Sequence, residues 1–113
     1  KKTLINLWFG FISSGIVVYS LKILISRPRP ILNLLQENNY SFPSGHTTIM
    51  FTLLPIIWYE FPKNKFIRYS WFISSIVIAF SRVYLGVHFV SDILMGIVIG
   101  LIIGNCIIKL KNE

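Results

Sequence analysis

Cysteine and charged side chains are both scarce in this 113-residue chain. The single cysteine, Cys106, lies in the last apolar run, which excludes a disulfide within one chain and a metal site built from cysteines. Charged residues make up only 13% of the sequence, whereas hydrophobic residues make up 54%. This balance is atypical of a soluble domain and indicates a membrane protein.

Acidic residues are scarcer still, with four against eleven basic ones and a net charge of +7. The basic excess does not indicate nucleic acid binding, because the basic residues lie at the ends of apolar runs rather than along a polar helix. Lysine and arginine flank membrane spans in this way. We therefore expect membrane lipids and no nucleic acid as partners, and the oligomeric state is left open.

Four apolar runs predict an all-α, membrane-embedded bundle with about four transmembrane helices. They cover residues 4–24, 47–59, 67–84 and 90–110. The first has about 21 residues, which at ~1.5 Å each can cross a hydrocarbon core of ~30 Å. A signal peptide is the alternative for this run, but no small-residue cleavage site follows it. No linker or repeat marks a second domain, so residues 1–113 are expected to form one membrane-embedded domain.

The last run contains three glycines at four-residue spacing, Gly96, Gly100 and Gly104. Small residues at this spacing allow another helix to approach closely in a membrane. We interpret these glycines as a packing face without a chemical role.

The segment between the first two runs ends in a motif that can bind an anion. Arg27-Pro28-Arg29-Pro30 cannot continue a helix because proline lacks the amide donor, so a loop begins there. Ser44 is the expected N-cap of the next helix, with Gly45, His46 and Thr47 in its first turn. The amides at such a helix start attract anions. A capped helix without chemistry is the alternative interpretation.

The segment from Ser81 to Asp92 places an arginine, a histidine and a carboxylate among apolar residues. If the chain is helical from about residue 88, His88 and Asp92 lie one turn apart, and the carboxylate can fix the imidazole tautomer. Arg82 adds donors suited to a phosphate-like oxyanion. The arrangement fits a nucleophilic or basic histidine, although the same pair can also serve only as a helix cap.

Laying the four helices alternately across a bilayer brings the loop 26–46 and the turn 82–92 to one face. The opposite face then receives seven basic residues, Lys1, Lys2, Lys63, Lys65, Arg68, Lys109 and Lys111. Because basic residues accumulate on the cytoplasmic side, we expect the polar motifs to lie on the extracytoplasmic face.

Three groups of polar residues follow one another along the chain. They are Lys22 with Arg29-Pro30, then Pro43-Ser44-Gly45-His46, then Ser81-Arg82 with His88 and Asp92. Their types and order closely resemble the three signature motifs of the type 2 phosphatidic acid phosphatase superfamily, which also includes bacterial acid phosphatases and vanadium-dependent haloperoxidases. Membrane members typically have six helices, with the motifs in the last four. The resemblance therefore implies that two N-terminal helices are absent from this chain.

The resemblance implies an integral membrane lipid phosphatase that works through a phosphohistidine without a metal or other cofactor. His88 would attack phosphorus, Asp92 would orient His88, and His46 would protonate the leaving alkoxide and then activate water. The phosphate oxygens would be held by Lys22, Arg29, Ser44, Gly45 and Arg82. One carboxylate and two histidines are too few ligands for a two-metal centre. Arg27 lies outside the matched positions, and a role at the membrane surface is expected for it as readily as a role in the site.

The sequence does not identify the lipid substrate. The motifs are compatible with phosphatidate, phosphatidylglycerophosphate, a polyisoprenyl diphosphate or a lipid A phosphate. Two other functions compete with the phosphatase. A haloperoxidase would bind vanadate through His88, but the soluble members of that branch lack membrane spans. A non-catalytic lipid-binding protein would not need this set of ionisable groups, which are costly near a membrane and usually functional.

Overall fold

A computed structural model of the chain describes residues 2–31, 34 and 39–112. These residues form four α-helices: α1 (Lys2–Ile25), α2 (Gly45–Glu60), α3 (Lys65–Tyr84) and α4 (Val90–Lys111). The expected all-helical fold is confirmed, and each helix begins and ends within two residues of its apolar run. Three of the helices, α1, α3 and α4, are long and apolar enough to cross a membrane.

The shortest helix, α2, lies at the centre of the bundle. It packs against each of the other helices and most extensively against α4, whereas α3 and α4 contact each other sparsely. Its side chains Phe51 and Leu54 form a buried core with Ala79 of α3 and Ile93 of α4. With 16 residues, α2 covers about 24 Å, which is less than a typical hydrocarbon core.

The glycine face of α4 makes its close contact with α2 possible. A Cβ atom at Gly100 would lie 2.6 Å from the carbonyl oxygen of Thr48, and one at Gly104 would lie 2.3 Å from that of Thr52. A Cβ atom at Gly96 would lie 3.2 Å from the Thr47 side chain. The predicted packing role of the three glycines is therefore confirmed.

Hydrogen bonds at both ends fix the helices in an alternating arrangement. At one end, Glu60 of α2 accepts bonds from Thr3 (2.7 Å) and from Asn6, both on α1. At the other end, the amide of Ser44 donates to the carbonyl oxygen of Asp92 at 3.3 Å, and that of Leu34 donates to Leu85 at 3.1 Å. The loop after α1 and the turn before α4 therefore meet at the same end of the bundle, as the sequence predicted.

Candidate active site

A cavity of about 200 Å³ opens where these two segments meet. Five parts of the chain contribute to its lining: the end of α1, the loop after it, the start of α2, the end of α3 and the turn before α4. The lining residues are Lys22, Arg29, Asn39, Gly45, His46, Ile49, Arg82 and His88. Six of the eight residues predicted for the site thus surround one cavity, while Ser44 and Asp92 lie directly behind it.

The start of α2 forms as the sequence predicted, with Ser44 as its N-cap. The Ser44 side chain accepts a hydrogen bond from the amide of Thr47 at 3.3 Å and contacts the Thr47 hydroxyl at 3.0 Å. Ser44 is fully buried, so its hydroxyl serves the cap rather than the cavity wall. The positive end of the α2 dipole, which carries Gly45 and His46, therefore points toward the cavity.

The turn before α4 holds His88 in a different way from the one predicted. The helix considered from about residue 88 begins two residues later, because α4 starts at Val90 and His88 precedes the N-cap residue Phe89. Gly86, at φ 73°, allows the chain to reverse at the end of α3, and the amide of His88 donates to the Arg82 carbonyl at 3.3 Å. His88 is consequently fixed by the turn and not by a helix.

Asp92 nevertheless reaches His88. Its Oδ2 atom lies 3.4 Å from His88 Nδ1 and accepts a hydrogen bond from the Phe89 amide at 2.8 Å. The carboxylate therefore caps α4 and contacts the imidazole with the same oxygen, so both contacts considered for this pair are present. Asp92 is fully buried and His88 is 3% exposed.

The neighbours of His88 determine which ring nitrogen carries the proton. Arg29 Nη1 lies 3.3 Å from His88 Nε2, and a guanidinium can only donate. Nε2 must then accept, which leaves the proton on Nδ1, facing Asp92. Burial lowers the pKa of His88 below 6.5; the bond to Asp92 opposes this effect, and the charges of Arg29 and Lys22 add to it. The lowered pKa and these contacts favour a neutral imidazole with its lone pair on Nε2.

Cationic side chains surround this lone pair, and backbone carbonyls hold two of them in place. Lys22 donates to the Tyr40 carbonyl at 2.7 Å. Arg29 donates to the carbonyls of Asn39 and Val87, each at 2.9 Å. Arg82 is buried and lines the same cavity. The arrangement concentrates three positive charges around a space large enough for a phosphoryl group.

The profile of the PAP2 superfamily matches residues 3–113. The chain belongs to the PAP2 superfamily. Its curated relatives include the lipid A 4'-phosphatase of Porphyromonas gingivalis, 44% identical over 72 residues that cover 62% of this chain and 29% of the relative. Phosphatidylglycerophosphatase B of Bacillus subtilis is 37% identical over 92 residues, covering 74% of this chain and 45% of the relative. The chain thus spans less than half of either protein.

A solved PAP2 structure has the same arrangement of helices. The transmembrane PAP2-type phosphatidylglycerolphosphate phosphatase of B. subtilis aligns with 94% of this chain and 57% of its own, with a TM-score of 0.84 and 29% identity. The resemblance inferred from the motifs is therefore confirmed, and so is the membrane-embedded helical fold. Together with the three helices able to cross a membrane, this match indicates an integral membrane protein.

Two residues of this PAP2 site escaped the sequence analysis. Asn39 lines the cavity and binds Arg29 through both its backbone and its side-chain oxygen. The sequence placed it only within a polar loop stretch, residues 36–39, of which 36–38 lie outside the described residues. Arg27 was expected equally at the membrane surface, but the structure places its guanidinium 2.7 Å from Asp92 Oδ1. No helical or strand periodicity marks either residue, since both lie in the loop.

Side chains that could bind a metal ion are few in this PAP2 chain. Across residues 2–31, 34 and 39–112, His, Cys, Asp and Glu side chains form no group of three that could hold a metal ion. The cavity is instead bordered by basic side chains.

Proposed function

We propose that the chain carries the active site of an integral membrane lipid phosphatase that works through a phosphohistidine. The observation that carries the proposal is the state of His88. Its Nε2 lone pair lies 3.3 Å from Arg29, its Nδ1 faces Asp92, and both contacts occur at a cavity that also contains His46, Lys22 and Arg82. A nucleophile, a second histidine and a set of cations are the parts that metal-free phosphoryl transfer requires.

In the first step, the phosphate of the substrate occupies the cavity and His88 Nε2 attacks phosphorus in line with the leaving oxygen. The bond from phosphorus to that oxygen breaks while the bond from phosphorus to nitrogen forms. Lys22, Arg29 and Arg82 offset the charge on the equatorial oxygens, and His46 gives its proton to the leaving alkoxide. Asp92 stabilises the positive charge that develops on the imidazole.

In the second step, water attacks the phosphohistidine. His46, now neutral, takes a proton from the water while the bond from phosphorus to His88 breaks. Inorganic phosphate leaves, and His88 and His46 return to their starting states. The fixed cations supply the electrophilic assistance that a metal would otherwise provide, so the proposed reaction is independent of metals.

A lipid is the proposed substrate, carrying its phosphate as a monoester or diphosphate. The activities for which the relatives are named, on lipid A and on phosphatidylglycerophosphate, support this class. A second cavity of about 400 Å³, lined by Tyr19, Lys22, Ile23, Asn39 and Tyr40, shares Lys22 and Asn39 with the first. It offers room beside the phosphate for the alcohol part of a lipid.

The proposed orientation places the site on the extracytoplasmic face. The described basic residues outside the site cluster near the opposite end of the bundle: Lys2, Lys63, Lys65, Arg68, Lys109 and Lys111. Lys1, which was assigned to the same face, lies outside the described residues. The positive-inside rule supports this end as the cytoplasmic one.

The test is phosphate release from a panel of substrates by the chain purified in detergent, with EDTA present throughout. Short-chain phosphatidate, phosphatidylglycerophosphate and an isoprenyl diphosphate should be hydrolysed faster than a soluble aryl phosphate. His88→Ala should reduce release to the uncatalysed level while the protein still extracts as a folded monodisperse species. Undiminished release by His88→Ala would overturn the assignment of the nucleophile.

A further inference from the structure

We infer that Arg27 is a positioning residue, whose guanidinium holds the Asp92 carboxylate so that Oδ2 faces His88. The inference rests on the proposed function, because it gives Arg27 a part in the same phosphoryl transfer. Arg27 lies two residues before Arg29, is not among the residues that line the cavity, and donates to Asp92 Oδ1.

The two oxygens of Asp92 have different partners. Oδ1 accepts a hydrogen bond from Arg27 Nη1 at 2.7 Å. Oδ2 lies 3.4 Å from His88 Nδ1 and accepts from the Phe89 amide at 2.8 Å. The neighbouring Ser41 side chain is neutral, and its hydroxyl donates to the Pro28 carbonyl at 3.3 Å. Arg27 thus supplies the full positive charge on the side of Asp92 opposite His88.

Arg27 is itself held from several directions, although its side chain is 34% exposed. Its guanidinium carbon lies 5.2 Å from the ring centroid of Phe42 and 5.5 Å from that of Phe89. Nη1 also donates to the Ser91 hydroxyl, and the Arg27 carbonyl accepts from the Ser41 amide at 2.8 Å. The planar fork of arginine suits this combination of ring stacking and ion pairing, which a lysine cannot reproduce.

Two effects of Arg27 on His88 oppose each other. Its charge offsets part of the Asp92 charge, which weakens the stabilisation of the imidazolium that forms during attack. Its ion pair, however, compensates a fully buried carboxylate and fixes the direction of Oδ2. The second effect is larger, because an unpaired buried carboxylate is strongly disfavoured and a small displacement of a catalytic group is costly. Loss of Arg27 should therefore slow the chemical step.

The experiment compares Arg27→Ala and Arg27→Lys with wild type, and combines Arg27→Ala with Asp92→Asn. We expect Arg27→Ala to lower kcat by about ten- to hundredfold with little change in KM, and Arg27→Lys to recover part of the loss. In the Asp92→Asn background, Arg27→Ala should cause little further loss, because it acts through the carboxylate. Losses that simply multiply, or an unchanged kcat, would overturn the inference.

Arg68→Ala is the matched control. Arg68 stacks on the ring of Trp58 at 4.4 Å and donates to the Pro62 carbonyl at 3.0 Å, near the end of the bundle remote from the cavity. Its removal should leave kcat unchanged. A kcat loss in Arg68→Ala equal to that in Arg27→Ala would instead indicate a general effect of removing a stacked arginine.

A titration of the His88 ring by ¹⁵N NMR separates this inference from the proposed function, because it requires no turnover. The charged or titratable groups around His88 are Asp92, Arg29, Lys22, Arg82 and His46, with Arg27 behind Asp92. Removing Arg27 leaves the Asp92 charge less offset, so the His88 pKa should rise in Arg27→Ala and stay near the wild-type value in Arg27→Lys. An identical titration in all three proteins overturns the inference, whereas absent phosphate release by wild type would overturn only the proposed function.

Discussion

Replacing Gly100 with alanine should push α4 away from α2 and weaken both the fold and the site. The new Cβ would lie 2.6 Å from the Thr48 carbonyl oxygen, whereas ordinary contact begins at 3.4 Å, so the helices must separate locally by about 0.8 Å. Overpacking of this kind costs about 1–3 kcal/mol, and alanine recovers about 0.5–1 kcal/mol of helix propensity. We expect a net destabilisation of about 1–2 kcal/mol.

The same separation should reach the proposed catalytic residues. The bond from the Ser44 amide to the Asp92 carbonyl is already 3.3 Å long and links the start of α2 to the start of α4. A displacement of about 0.8 Å in the same direction would break it and move His46 relative to Asp92. The kcat of Gly100→Ala should therefore fall about tenfold or more, since catalysis depends on placement within about 1 Å.

Gly15→Ala is the matched control for this variant. Gly15 lies on α1 with nothing within 4 Å of an added Cβ, so the substitution gains helix propensity without a collision. The assay is thermal unfolding in detergent beside phosphate release. Equal stability and activity of Gly100→Ala and Gly15→Ala would refute the argument that the glycine face sets the distance between α2 and α4.

The remaining predictions concern the chemistry and the orientation of the site. Labelled substrate should leave an acid-labile, base-stable phosphoryl group on wild type but not on His88→Ala, and Asp92→Asn should retain more activity than His88→Ala because it loses only orientation and charge. Activity should survive EDTA and be inhibited competitively by vanadate; recovery only after added magnesium would contradict the metal-free mechanism. Burial lowers the pKa of His88 below 6.5, so kcat/KM should stay constant as the pH falls through 6.5 and decline only at lower pH. A decline of kcat/KM with its midpoint above pH 6.5 would count against a neutral His88. In a Cys106→Ala background, Ile31→Cys should react with an impermeant maleimide in intact cells and Pro62→Cys only after permeabilisation; the reverse pattern would invert the orientation.

The apolar runs were sufficient to predict the helices, because a spanning segment must be apolar over its whole length and the loops between these runs are polar. The convergence of the motifs followed from alternating the helices. The cap at Ser44 could be predicted because capping depends on local sequence. The helices and the cap are determined by neighbouring residues, and the convergence follows once the order of the helices is known.

The features that escaped prediction depend on distant partners. Arg27 donates to Asp92, which lies 65 residues later in the sequence. The loop folds back on itself, and a hydrogen bond from the Ser41 amide to the Arg27 carbonyl closes it. Asn39 enters the cavity through its contacts with Arg29, which the sequence does not mark. His88 was expected on a helix because the four-residue spacing to Asp92 fits one, yet the same contact is made from a turn.

The short length of α2 sets the depth at which the cavity lies in a membrane. A Cβ at Gly45 would lie 3.6 Å from Val18, so α2 begins beside Val18 rather than beside Ile25 at the end of α1. The seven residues of α1 beyond Val18 rise by about 10 Å. The start of α2 is therefore recessed below the end of α1, and under the proposed function this depth would bring the cavity within reach of a lipid phosphate between neighbouring headgroups. Hydrophobic mismatch would change this depth, so turnover of a lipid should vary with acyl-chain length of the host bilayer, while turnover of a short soluble phosphate in detergent should not.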